Sequence, residues 1–371
     1  RFATQFSQAL SAPYWGVSSI KDDLKLNINK FKKEDAEYGF AIHYFLDSFN
    51  ETFYKSGYSV FSEFFEKNRD IKKWMVFSDY AFHDKNKQND VVTFTIAPFI
   101  AEFNEISNLI DDLSFKDIKK LKRVNDSYLE FIDQSQIFNV SVILSKKRKL
   151  CFTDEKALLV RKFEMAIGQL EYWCITTPEA KEHYLGFISK LKELNKVLSG
   201  QGANLKAIRD IEIISSLAAY LMFEVSKIID IEKIGWFSDR DSMLSYKAAK
   251  FKIPIMYNFV GTLYYLFCQT EGIDSEGKLI IGVPEGNGRV WYDSFNRIPD
   301  LICATLADYN INRNLFTHDK FVPVCEKLLA SSEKNLFYKI GFNKKAFSAS
   351  RLTIETANKS NHTDAASCTG V

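Results

Sequence analysis

The chain has 371 residues, 46% of them hydrophobic and 26% charged, a balance ordinary for a folded protein and a length sufficient for a large core. A net charge of +2 excludes nucleic-acid binding through the charge of the whole chain, so any polyanion site has to be a local patch. Six scattered cysteines, without a CxxC pair or zinc-finger spacing, argue for buried reduced thiols in a cytoplasmic protein, and no apolar stretch reaches transmembrane length.

In chain order, residues 1–70 read as a helical N-terminal appendage, with Tyr38, Phe40, Tyr44, Phe45, Phe49 and Phe53 at helical spacings. The apolar run Trp74–Asp79 predicts a buried strand, and Val91–Pro98, after a polar turn, predicts its hairpin partner. A helix over Ala101–Leu113 follows, then a basic helical stretch, Phe115–Arg123. Phe138–Leu144 predicts a third strand running into Lys146–Lys149, and residues 154–173, 179–198 and 204–228 predict three helices. Ile234–Ser238 reads as a fourth strand, Met243–Phe251 and Ile255–Gln269 as helices, and Leu279–Val283 as a further strand. Phe295–Asp308 predicts a late helix with Pro299 in its first turn and Asp300 near its opening. The segment 358–371 is small and polar, as a disordered tail would be.

Two of these strands share a tail of aromatic, Ser and Asp: Phe77-Ser78-Asp79 and Phe237-Ser238-Asp239. Carboxylates at the carboxyl ends of central strands sit where α/β sheets open their ligand crevice. Asp79, Asp239 and Asp300 are therefore the candidate catalytic acids, with Asp241 on the same face as Asp239 if the strand continues. Hard oxygen ligands of this kind suit Mg²⁺ or Mn²⁺. Each acid also has a structural alternative: Asp79 as a turn residue, Asp239 or Asp241 as an N-cap, and Asp300 as a complement to a helix N-terminus. His83 lies close enough in sequence to join Asp79, or else occupies a surface turn.

The order of these elements resembles the ribonuclease H-like superfamily, in particular bacterial domains of unknown function whose first strand ends in Asp-Glu-Ser-Gly. Pro299-Asp300-Leu301-Ile302-Cys303-Ala304 is similar to the late Ala-Asp-Leu-Ile-Ala-Gly motif of those domains, and Asp79 and Asp239 match their two strand acids. Here Asp79 is followed by Tyr80-Ala81-Phe82, a departure from the first motif. The middle acid of the family falls on Asp117, within Lys116-Asp117-Ile118-Lys119, with Asp111, Asp112 and Glu164 also eligible.

The resemblance implies an α/β fold with a ribonuclease H-like mixed sheet over residues 71–312, flanked by helices and carrying helical insertions, then a C-terminal extension over 313–357. It implies a metal-dependent nuclease in which Asp79, Asp239, Asp300 and Asp241 or Asp117 bind two Mg²⁺ or Mn²⁺ ions. The basic segments Lys119–Arg123 and Lys146–Lys149 would meet the phosphate backbone of DNA or RNA. A homo-oligomer is left open, and no membrane is implicated. Two other readings compete: Asp239-Arg240-Asp241 as the DxD of a sugar-nucleotide transferase or phosphatase, and a catalytically inactive interaction module.

Overall fold

The computed structural model describes residues 38–100, 102–114, 118–248, 251–284, 289–343, 346–355 and 367–370. In chain order the elements are α1 (Tyr44–Ser56), α2 (Tyr58–Lys67), β1 (Lys73–Ala81), β2 (Asp90–Pro98), α3 (Phe103–Leu113), α4 (Asp126–Gln134) and β3 (Phe138–Leu144). Three long helices follow, α5 (Glu155–Thr176), α6 (Lys181–Ser199) and α7 (Leu205–Ile228), then β4 (Lys233–Ser238). The rest comprises β5 (Tyr246–Ala248), β6 (Phe251–Ile253), α8 (Met256–Thr270), β7 (Leu279–Gly282), α9 (Asp293–Asp308), β8 (Tyr309–Asn310), β9 (Leu315–Phe316), α10 (Val322–Val324), β10 (Asn335–Phe342), β11 (Phe347–Glu355) and β12 (Ser367–Gly370).

The chain divides into two compact units, one of residues 1–47, 149–224 and 241–279, the other of 48–148, 225–240 and 280–371. The second unit is built on a mixed sheet, eight-stranded among the described residues, in the order β12-β11-β10-β3-β2-β1-β4-β7. β1, β2 and β3 run antiparallel in succession, whereas β4 lies parallel to β1 and β10 parallel to β3.

Side chains alternate across a strand, and the sheet's two faces follow from that period. On the back face, Trp74 and Phe138 meet the α2 aromatics, with Phe65 5.0 Å from Trp74 and Phe61 5.3 Å from Phe138 between ring centroids. On the front face, Met75 and Phe77 are buried under α9, where Phe295 stacks on Phe77 at 5.1 Å and on Phe103 at 4.7 Å. Each such buried ring contributes roughly 1.5–3 kcal/mol, which makes this aromatic stack the anchor of α9 on the sheet.

The first unit is helical. Phe163 of α5 and Phe187 of α6 both pack on Phe259 of α8, at 5.8 and 5.9 Å. Glu212 of α7 is buried with His43 at 3.0 Å and with Lys162 of α5.

Several boundaries differ from the sequence reading. Residues 243–251 hold a 3₁₀ turn (Ser242–Leu244) and β5, paired antiparallel with β6, where a helix is expected. A short apolar run carries no period long enough to separate the two states, and here local pairing wins. The expected extension 313–357 supplies β10 and β11, so the sheet continues beyond β3. Within the expected disordered tail, Ser367–Gly370 pairs antiparallel with β11, since an edge strand offers unpaired backbone groups to any nearby segment. Of the expected appendage, residues 1–37 lie outside the described residues. Among the described residues no helix is long and apolar enough to cross a membrane.

Candidate functional site

The two aromatic-Ser-Asp tails lie side by side. In the parallel pairing of β1 and β4, Phe77 is level with Phe237 and Ser78 with Ser238, and the Asp239 amide donates to the Ser78 carbonyl at 2.9 Å. Polar side chains on the back face hold this register. Trp236 Nε1 donates to Ser78 Oγ at 3.0 Å, and the Tyr80 hydroxyl bridges Ser78 Oγ and Ser238 Oγ at 2.7 and 2.8 Å. The alternation that turns both serines backward turns Asp79 and Asp239 to the front, toward α9.

There the two carboxyl groups are hydrogen-bonded to each other. Burial, followed by the charges of Asp300 and Asp239, holds the Asp79 carboxyl well above the usual carboxylate range. Asp239 is also raised, by burial first, with the charge of Asp293 adding to it and the Arg240 backbone opposing it. Like charges in contact disfavour each other's ionisation, so the pair holds protons more tightly than free carboxylates do and would be relieved by a cation.

The third acid arrives on α9. Asp300 lies in the middle of that helix, whose first turn begins at Asp293, and Pro299 is interior to it. Asp300 therefore does not serve the helix N-terminus, the structural role open to it in the sequence. Nor does Asp79 end a turn, because β1 runs two residues past it. Cys303, one turn after Asp300, is buried with its thiol pushed up by burial and then by the charges of Asp79 and Asp300, and it donates to the Val91 carbonyl at 3.3 Å.

The remaining candidates fall elsewhere. Asp241 belongs to the helical unit, is exposed, and caps the 3₁₀ turn by accepting from the Met243 amide at 2.8 Å. Its expected place on the Asp239 face required a strand through residue 241, and β4 stops at Ser238. Asp117 lies outside the described residues. Asp111 of α3 is bound to Arg289, to Ser294 Oγ at 2.9 Å and to Arg297 at 3.1 Å; burial opposes its ionisation, but these partners hold its carboxyl below the usual range.

Asp112 and Glu164 are exposed. His83 has a left-handed backbone (φ 63°), and its amide donates to Asp90 at 3.0 Å. Of the basic segments, Arg148 is buried against Asp90 at 2.6 Å and is lost to any phosphate contact, whereas Arg123 pairs with Asp126 at 2.9 Å on the surface.

Two residues were not anticipated. Asp293 acts on Asp239, and Asn296 lies on the same side of α9 with its side chain buried. Their spacing to Asp300, seven and four residues, is the one signal in the sequence, and it is readable only once α9 is known to start at Asp293.

Among the described residues no group of three or more His, Cys, Asp or Glu side chains could hold a metal ion. The donor chemistry fits a more modest arrangement. Mg²⁺ is commonly held by one or two carboxylates while it keeps several waters, and the half-buried, hydrogen-bonded pair of Asp79 and Asp239 supplies two such oxygens. This defines an α/β protein with a mixed sheet flanked by helices and an acidic site at the carboxyl ends of two parallel strands. No protein-family model matches the chain, and neither a curated protein nor a solved structure matches it.

Proposed function

We propose that this protein is a divalent-cation-dependent nuclease with a ribonuclease H-like core, and that Asp79 and Asp239 carry the reaction with Asp300 beside them. The observation that supports this reading is the meeting of Asp79 and Asp239, far apart in the chain, under the charges of Asp300 and Asp293. The hairpin after the first acid, the return of a second acid-bearing strand beside it and the acid on a late helix agree with the element order on which the resemblance rests.

When bound, Mg²⁺ or Mn²⁺ neutralises charge on the phosphodiester oxygens and lowers the pKa of an attacking water. The protein's part is to hold geometry and move a proton. Asp239, the less strongly raised of the pair, binds as carboxylate. Asp79 would bind the same cation as carboxylate, releasing the proton that it holds more tightly in the metal-free site. Asp300 adds negative charge beside Asp79, which favours a cation there.

The test is incubation with Mn²⁺ or Mg²⁺ and labelled single- and double-stranded DNA and RNA, beside Asp79→Asn and Asp239→Asn. Cleavage by the parent and a loss of at least about 10²-fold in either variant is expected, the usual scale for removing a group that contacts the reacting atoms. A parent that cleaves none of the four substrates, or variants as active as the parent, overturns the proposal.

A further inference from the structure

Buried polar side chains beneath α9 are, as a rule, paired. Thr93 Oγ1 meets Ser141 Oγ at 2.9 Å, Thr95 Oγ1 donates to Asn139 Oδ1 at 2.7 Å, and Asn139 Nδ2 donates to Asn335 Oδ1 at 3.0 Å. Asn296 departs from this pattern. Its side chain is 5% exposed, yet neither its amide nitrogen nor its amide oxygen has a hydrogen-bond partner. A buried amide unsatisfied at both atoms is rare in folded proteins and calls for an explanation.

Its position supplies one. Asp293, Asn296, Asp300 and Cys303 follow one another at i, i+3, i+7 and i+10, the spacing of a single strip along a helix. The strip is located at both ends: Asp293 acts on Asp239, Asp300 acts on Asp79, and Asp79 acts on Cys303, whose thiol donates to the Val91 carbonyl at 3.3 Å. Asn296 lies between them on that strip, so the helix period places its buried, unpaired amide on the side of α9 that carries Asp293 and Asp300. An amide offers one acceptor and two donors without adding charge, which suits the water shell of a cation whose first ligands are acidic.

We infer that Asn296 is a ligand-binding residue of the acidic site, its amide holding the water shell of the divalent cation bound by Asp79 and Asp239. The inference rests on the cation-binding reading proposed above. It names a residue that neither the resemblance nor the paired motifs indicated.

The experiment is a calorimetric titration with Mn²⁺ alone, together with thermal melts in EDTA and in Mn²⁺, on the full chain and its Asn296→Leu and Asn296→Asp variants. Asn296→Leu is expected to weaken Mn²⁺ binding about tenfold, the scale of removing a group that supports first ligands. The same variant is expected to melt higher than the parent in EDTA, because an apolar group of similar size replaces an unpaired amide. Asn296→Asp, which adds a charge on the strip, is expected to bind Mn²⁺ more tightly.

Unchanged affinity in Asn296→Leu overturns the inference, as does a lower melt in EDTA with affinity intact, since the amide would then serve the fold. If Asn296→Leu does not fold, Asn296→Asp decides, and unchanged or weaker binding in it counts against the inference. A parent that binds no Mn²⁺ removes the acidic-site reading and this inference with it, whereas a binding parent with a silent position 296 removes the inference alone.

Discussion

Asp79 is an acid whose folded-state proton affinity is raised, and the sign of the resulting pH dependence is unusual for a carboxylate. A raised pKa means that the folded state binds the proton more tightly than the unfolded chain. Its contribution is therefore complete at acid pH, below the ordinary value of 3.8, and is lost as pH rises through the elevated folded value. Melts in EDTA should accordingly show this contribution fading as pH rises from acid toward neutral, with Mn²⁺ restoring it. Asp79→Asn should weaken that pH dependence, leaving the smaller part due to Asp239, and stabilise the metal-free protein at neutral pH by about 1 kcal/mol. A parent whose Asp79-dependent stability grows with pH would contradict the carboxyl pair as described.

The same residues show what could be read from the chain. Asp79 and Asp239 were legible because each ends an apolar run with the same three-residue tail. Asp293 and Asn296 were not, because nothing in Tyr292-Asp293-Ser294-Phe295-Asn296 indicates which side of α9 the sheet will take until Phe295 is seated on Phe77.

At the scale of elements, α5 and α7 are tied by a buried ion pair rather than by apolar packing alone. Burial pushes Glu212 upward, but Lys162 and the His43 hydrogen bond outweigh it and bring the carboxyl to about 2. His43 is lowered by burial and then by Lys162, so it stays neutral. Both shifts act in the direction opposite to that of Asp79: the His43 contribution is lost as pH falls below 6.5, and that of Glu212 as pH falls from 4.5 toward 2. Lys162→Met leaves Glu212 buried without its main counter-charge and is expected to cost about 3–5 kcal/mol. Urea melts at neutral pH check this, and a cost below about 1 kcal/mol would mean that water reaches the pair.

Element by element, β1, β3 and β4 and the long helices were visible as runs and periods. β10 and β11 are hidden in the expected C-terminal extension, although Leu336-Phe337-Tyr338 and Ile340 form a strand-like run. A basic residue, Lys339, interrupts it, and it gains its identity only by pairing in parallel with β3. Arg148 hides for the converse reason, since a Lys-Lys-Arg-Lys segment reads as free charge for a phosphate backbone, whereas its arginine is buried against Asp90.

For the whole molecule, the defining contact is the parallel pairing of β1 with β4, because it alone brings the two strand acids together. The helices α5, α6 and α7 all lie between these strands in the chain. A growing or refolding polypeptide can complete the β1–β2–β3 meander early, from neighbouring segments, but has to close this long loop before β4 arrives. Until then the flank of Trp74-Met75-Val76-Phe77 stands open as an unpaired, apolar strand border, the kind of surface on which chains stick to one another. Recovery of native protein after dilution from denaturant should therefore fall steeply with protein concentration, and a charged substitution at an exposed loop position should not rescue it. The separation in sequence that joins distant acids into one site also leaves the nascent chain adhesive for as long as its second half is missing.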